Sequence, residues 1–291
     1  MSDHSIHVLD LDFRGSPRAV AAFLIQGPGG PVLIECGPGS TLPALKQALA
    51  AHGLQPDDIR HVLLTHIHLD HAGSAGWWAQ QGADVYVHAF GAPHLIAPEK
   101  LLASATRIYG DEMDALWGAF LAAPAERVHA LQGGEVVSVA GLSFVAHATP
   151  GHARHHIVWQ LGDVAFVGDV AAIRIDGGLH IRIPSPPPEF EREVWLDSIA
   201  RMRALAFRRL YLTHFGALDA VDEHWARVAG LVDEQAELAR DLPDRDVLVQ
   251  RLVDLDNRDL LDDERERFNN AGPIAMSADG LLRYWNRRQV K

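Results

Sequence analysis

The stretch Ile59-Arg60-His61-Val62-Leu63-Leu64-Thr65-His66-Ile67-His68-Leu69-Asp70-His71 decides how this chain is read. Its first half is a short apolar run and predicts a buried strand. Its second half packs four ligand-type side chains into six positions. With 17 His among 291 residues, chance supplies His-x-His-x-Asp-His on the order of 0.005 times in such a chain. Alternate side chains of an extended segment share a face, so His66 and His68 reach the same point. A turn at Asp70-His71 carries that pair to a neighbouring point. The pattern reads as a strand that ends in metal ligands.

Working outward, the same grammar recurs three times. His152 follows LSFVAHATPG, Asp169 follows VAFVG, and His214 follows RLYLT. Each alone would read as a cap or a satisfied polar group. Together they are apolar strands ending in metal-type ligands, and open α/β sheets place their sites at the carboxyl ends of strands. Five His and two Asp suit zinc, with iron or manganese as alternatives. A single cysteine excludes an internal disulfide framework and a Cys-based zinc site. Cys36 ends an apolar strand and reads as a buried, inert thiol.

The rest of the chain supplies the frame. AVAAFLIQ and PVLIEC predict strands around a Gly-Pro turn, followed by a helix over about 41–52. A short helix carrying Trp77 and Trp78 and the strand DVYVH continue an α/β alternation. Residues 90–122 read as a helical insert punctuated by Pro93 and Pro98. Strands return between 127 and 169, with Gly162-Asp163 as a hairpin turn. A Pro-rich loop at 183–188, a helix over about 189–206 and RLYLTH as the last strand follow. From Asp222 the sequence is helical and charged, and DDERER reads as a solvated helix face. The organisation expected is one catalytic domain over 1–220 and a helical C-terminal extension over 221–291 packed on it.

Composition narrows the function. Apolar residues make up 48% and charged residues 22%, an ordinary globular balance. The formal net charge of −12 argues against binding driven by nucleic-acid phosphates. No apolar run approaches the ~18 residues of a membrane span, and the N-terminus lacks a signal-peptide pattern. A soluble cytoplasmic protein acting on a small molecule is expected, without nucleic-acid or membrane partners. A homodimer is allowed for.

The order HxHxDH, TPGH, GD and a late His after a strand resembles the metallo-β-lactamase superfamily over about residues 5–220. The resemblance implies a four-layer αββα sandwich with two divalent metals at one edge of its sheets. It implies that His66, His68 and His152 hold the first metal, that Asp70, His71 and His214 hold the second, and that Asp169 bridges them. A metal-bridging hydroxide would then attack the substrate, and Asp70 would be catalytic, orienting that nucleophile and passing a proton to the leaving group. The activity implied is hydrolysis of a small ester, thioester or lactone, in a glyoxalase II-like or lactonase-like branch. A mononuclear iron persulfide dioxygenase-like oxidoreductase and a small-molecule phosphodiesterase are the alternatives.

The sequence departs from the family at Glu35-Cys36-Gly37, where relatives often carry Asp-x-Gly. The longer carboxylate is expected to orient a ligand imidazole. His156 is expected to brace the loop after TPGH. His155 and Tyr109 are candidate substrate contacts, the phenol as a donor to a developing oxyanion. Of Trp77 and Trp78, one belongs in the core and the other is a candidate for the pocket. The segment Arg174 to Pro188 is either a wall of the cleft or a rigid connector.

Overall fold

The apolar residues around Gly27–Gly30 pair as an antiparallel hairpin, and the alternating segment before them adds a strand that the sequence reading missed. These are β1 (Ser5–Asp10), β2 (Ala21–Gly27) and β3 (Gly30–Ile34). Helix α1 (Leu42–Ala51) returns the chain to β4 (His61–Leu63). Two short helices, α2 (Leu69–Ala72) and α3 (Ala75–Gln80), lead to β5 (Asp84–His88). The insert forms α4 (Ala92–Ile96), α5 (Glu99–Tyr109) and α6 (Met113–Trp117) before β6 (Val128–Leu131). The six strands make one sheet in chain order, antiparallel through β3 and parallel from β3 to β6.

The second sheet holds β7 (Val136–Val139), β8 (Leu142–Ala148), β9 (Ile157–Leu161) and β10 (Val164–Phe166). After α7 (Arg192–Ala204) come β11 (Arg209–Leu212) and β12 (Gly216–Leu218). RLYLTH is therefore not the last strand: Gly216–Leu218 fold back beside it, a short run without an apolar, buried pattern to announce it. In this sheet β10 and β11 are parallel and the other pairs antiparallel. The chain ends in α8 (Val221–Asp241), α9 (Arg245–Asp259), α10 (Asp262–Ala271) and α11 (Ile274–Gln289). This computed structural model describes residues 4–175 and 178–289. Asp176 and Gly177, inside the Arg174–Pro188 segment, lie outside the described residues, as do 1–3 and 290–291.

Burial makes this a four-layer αββα sandwich. Phe23, Ile34, Phe144, Trp159 and Phe166 fill the space between the sheets. A second apolar cluster joins the outer face of the first sheet to α1, α3 and the insert, with Trp78 fully buried in it. A third joins the second sheet to α7, α8, α9 and α11. Helix α8 shows why: Val221, Trp225, Val228, Val232, Ala236 and Ala239 recur at helical spacing and form its buried stripe. Trp77 is partly buried and packs on the helical layer with the Lys46 ammonium 5.2 Å from its ring centroid.

Two contacts fix the segment before α7. Helix α11 presses on it at Gly280, where an added Cβ would fall 1.8 Å from the Ser185 carbonyl oxygen. Ser277 Oγ accepts from the Ser185 N–H at 3.2 Å and donates to the Ile183 carbonyl at 2.9 Å. Farther along, Arg182 is buried. Its guanidinium donates to Asp256 (Nε to Oδ2, 2.8 Å), to Asn269 Oδ1 at 2.9 Å and to the Gly272 carbonyl at 2.9 Å. His180 closes the group with Nε2 at 3.1 Å from Asp256 Oδ1. The segment is thus a connector wedged between the second sheet and the C-terminal helices, and its Pro184 also touches the site described next.

Candidate metal centre

Every strand in this centre delivers its ligand just past its carboxyl end. His66 follows β4. His68, Asp70 and His71 sit on and around the single turn of α2. His152 follows β8 through Thr149-Pro150-Gly151. Asp169 lies in a 3₁₀ turn after β10, and His214 comes two residues after β11. Three hydrogen bonds tie the two sheets together here. The Ile157 N–H donates to the Thr65 carbonyl at 2.7 Å, the Ala21 N–H to the Thr213 carbonyl at 2.8 Å, and Trp159 Nε1 to the Leu64 carbonyl at 2.9 Å. Gly168 lets the turn close against them. Its φ is +47°, and a Cβ there would sit 2.5 Å from Thr65 Oγ1 and 2.7 Å from His156 Nε2.

Seven side chains converge as two groups. His68 Nδ1 lies 3.0 Å from both His66 Nε2 and His152 Nε2. Asp169 Oδ2 completes this group, 3.3 Å from His152 Nε2 and 4.0 Å from His66 Nε2. In the second group, His71 Nε2 is 3.5 Å from Asp70 Oδ2 and 3.2 Å from Asp169 Oδ1. His214 Nε2 is 3.4 Å from Asp70 Oδ2 and 3.3 Å from Asp169 Oδ1. Asp169 therefore turns one oxygen to each group. The two sets, together with Glu35, His66 and His71, are the groups of potential metal ligands among the described residues.

The donor set fits divalent metal ions. Ligands ~2.0–2.2 Å from a tetrahedral ion stand roughly 3.3–3.6 Å apart, which is the scale of these separations. The orphaned atoms point the same way. His71 Nε2, His214 Nε2 and Asp169 Oδ1 are buried without a hydrogen-bond partner, and buried polar atoms are rarely left so.

In four of the five imidazoles, those of His66, His71, His152 and His214, the other ring nitrogen is engaged, which aims the ring. His152 Nδ1 donates to the Pro184 carbonyl and His214 Nδ1 to the Ala19 carbonyl, each at 2.8 Å. His71 Nδ1 donates to Glu35 Oε1 at 2.9 Å. His66 Nδ1 donates to Thr65 Oγ1 at 3.0 Å, and that hydroxyl donates to Glu35 Oε1. Glu35 also accepts from the Thr65 N–H and from Thr213 Oγ1, each at 3.3 Å. It is 1% exposed and its backbone takes φ 61°. One buried carboxylate thus steadies an imidazole of each group, as its position in the sequence suggested. Thr65 and Thr213 were missed, although the sequence carries a signal: Leu-Thr-His occurs at 64–66 and again at 212–214.

Charge differs between the groups. Burial pushes the His66 and His68 imidazoles down, and pushes His152 down to about 4. These rings are held neutral, the form that ligates metal. Burial opposes charge on His71 and His214 as well, but Asp70 and Asp169 outweigh it, with Glu35 adding to the effect at His71. His71 is raised well above its ordinary value and His214 to about 9. The second group thus gathers the carboxylates whose field favours positive charge there.

The remaining candidates fall around this core. His156 braces the loop as expected: its Nδ1 donates to Thr149 Oγ1 at 2.8 Å and its Nε2 accepts from the Asp169 N–H at 3.1 Å. His155 is buried with its ring stacked 6.0 Å from that of His66 and edge-on to His68 at 5.6 Å. Its Nε2 lies 3.3 Å from Glu189 Oε2. Tyr109 lies on the Asp70 side, where burial, seconded by Asp70, raises its phenol. Its hydroxyl is engaged by Met276 Sδ at 3.3 Å, and its ring stands edge-on to Trp117 at 5.0 Å. Cys36 is fully buried, and burial pushes its thiol up to about 12. No described helix is long and apolar enough to cross a membrane.

The fold is shared with known proteins. The chain is 26% identical over 227 residues to the metallo-beta-lactamase fold-containing protein ST1585 of Sulfurisphaera tokodaii, covering 76% of this chain and 82% of that one. It is 30% identical over 165 residues to the uncharacterized protein Rv2581c of Mycobacterium tuberculosis, covering 53% and 68%. The crystal structure of the metallo-beta-lactamase family protein TTHA1429 from Thermus thermophilus has the same fold. Its TM-score is 0.71 at 22% identity, over 99% of this chain and 94% of that one. The sequence profile of the metallo-beta-lactamase superfamily matches residues 15–214, a span that contains all seven converging side chains. The chain belongs to the metallo-beta-lactamase superfamily.

Proposed function

We propose that this protein hydrolyses a small ester, thioester or lactone at a centre of two divalent ions. Superfamily membership and the His/Asp cluster support a metal-dependent hydrolase in general. The observation that carries the two-ion reading is Asp169, whose oxygens face separate groups of potential ligands. In this reading His66, His68 and His152 hold one ion, Asp70, His71 and His214 hold the other, and Asp169 serves both. Divalent ions bound there, zinc first and iron or manganese as alternatives, supply a Lewis acid and lower the pKa of water toward neutrality. Asp70 keeps part of its carboxylate exposed, at 16%. It orients the attacking water and carries its proton to the leaving group. Glu35 and His156 hold the surrounding loops still, so the ligands need no rearrangement as the reaction proceeds. The chain's formal net charge of −12 favours a small metabolite over a nucleic acid.

Elemental analysis of the purified protein, followed by a substrate panel, tests the reading. Two equivalents of zinc or manganese per chain, with turnover among esters, thioesters and lactones, are expected. One equivalent of iron with oxygen consumption on persulfides would overturn it in favour of a dioxygenase. Turnover confined to phosphodiesters would overturn the substrate class alone.

A further inference from the structure

The ligands are unevenly covered. His66, His71, His152 and His214 are buried, whereas His68 and Asp70 are partly exposed, so the centre opens along their side. Tyr109 and Met276 stand near Asp70. The turn after β5 and the loop after β8 meet near His68. Gly91 lies against Ile67, between the first two ligands, where a Cβ would come 2.6 Å from Ile67 Cγ2. This seats Phe90 at the rim with its ring stacked 5.2 Å from His88 and 51% of the residue exposed.

Arg154 lays its guanidinium over the Phe90 ring, 3.8 Å from the centroid. Its backbone is pinned to the centre. The Arg154 N–H donates to Glu189 Oε2 at 3.1 Å, the oxygen that also contacts His155, and Glu189 acts electrostatically on His68. Glu189 is thus taken up by the backbone and the imidazole, and forms no ion pair with the guanidinium. Among the described residues that guanidinium has no carboxylate or carbonyl partner. Arg192, Arg201 and Arg209, by contrast, are all engaged by carboxylates. A guanidinium seated over an aromatic ring keeps donors free at its edge, and such a fork takes a carboxylate through two parallel hydrogen bonds.

We propose that Arg154, seated on Phe90, binds a carboxylate at the mouth of the centre. The substrate is then an ester, thioester or lactone bearing a second, anionic carboxylate several bonds from the one cleaved. This specificity rests on the hydrolase reading above.

The metal-loaded protein and its Arg154→Gln and Arg154→Lys variants are assayed with 4-nitrophenyl butyrate and 4-nitrophenyl hydrogen glutarate. The wild type prefers the glutarate ester, and R154Q lowers the ratio of kcat/KM (glutarate over butyrate) by about tenfold to a hundredfold, the scale of a charged hydrogen bond. R154K restores part of it, and Arg208→Gln, far along the second sheet, leaves the ratio at its wild-type value. Calorimetric titration with glutarate and with butyrate reads the same preference without turnover. A ratio unchanged in R154Q, or a wild type that binds both acids alike, overturns the proposal. No turnover of either ester, with glutarate binding still dependent on Arg154, supports the carboxylate site and overturns the hydrolase reading instead.

Discussion

Two polar clusters in this molecule both join His to Asp, and they end differently. Around Arg182 the guanidinium, Asp256, Asn269, His180 and the Gly272 carbonyl answer one another. At the sheet edge, imidazole nitrogens face each other at 3.0 Å, and three buried ligand atoms have no partner. The first cluster completes itself and joins a loop to helices. The second is complete only when a cation is added. Burial and charge do not separate these cases; the hydrogen-bond inventory does.

The contrast breaks most sharply at Asp169. Asp169→Ala, or His66→Ala with His152→Ala, is expected to strip metal and lower turnover roughly a thousandfold or more, since a bound ion supplies several kcal/mol of stabilisation to the reaction. Elemental analysis beside kinetics reads it, and unchanged metal content would remove the assigned ligands from the centre. The matching change in the other cluster, Arg182→Ala, leaves Asp256 buried with His180 as its remaining partner. A loss of about 3–5 kcal/mol in denaturant unfolding is expected, with metal content retained.

The clusters should also part in acid. Burial works to raise the Asp256 carboxyl, but His180 and Arg182 outweigh it and lower its pKa. A depressed folded pKa gives stability that is present above the ordinary carboxylate range, near 3.9, and is lost as pH falls through the folded value. Asp256→Asn is therefore expected to flatten the acid limb of the stability curve below about pH 4 and not its neutral region. An unchanged acid limb would show that the pair does not titrate with folding.

Smaller effects sharpen the picture. Glu35→Gln keeps the shape but weakens the acceptor for His71 and Thr65. Metal affinity, read by chelator competition, is expected to fall about 10–100-fold, the usual size for a partner behind a ligand. A thermal-melt loss with unchanged affinity would make Glu35 a purely structural group. Tyr109→Phe removes one hydrogen bond to a thioether, so a stability change of about 1 kcal/mol or less and a kcat/KM within tenfold are expected. A larger kinetic loss would move the phenol into the reaction.

The seven converging side chains were legible because each follows an apolar strand within a few residues, so local pattern and site coincide. The sandwich was legible for the same reason, through strands such as His61–Leu63 and Val164–Phe166 that bury both faces. Strand β1 was missed because its burial is partial, and β12 because its three residues, unlike those of β4 and β10, are mostly not buried. The partners of the ligands were hidden for another reason. The carbonyls of Ala19 and Pro184 are backbone atoms that any residue type supplies. Arg182 meets Asp256 and Asn269 only across 74 and 87 positions of chain, and no local signal spans such a gap.

The grip of α11 on the loop before α7 bears on how far the tail can change without disturbing the centre. The same loop presents the Pro184 carbonyl to His152, so backbone, and not an exchangeable side chain, links the last helix to a ligand. Position 280 admits no side chain without shifting Ser185, and Pro184 stands next to it. Substitutions on the outer faces of α8 to α11 are expected to leave the centre as it is. Loss of the last helix, or a larger residue at 280, is expected to displace the Pro184 carbonyl and so shift the geometry at His152. The tail and the edge that carries the ligands thus form one packed unit, although the tail lies beyond the span that the family profile recognises.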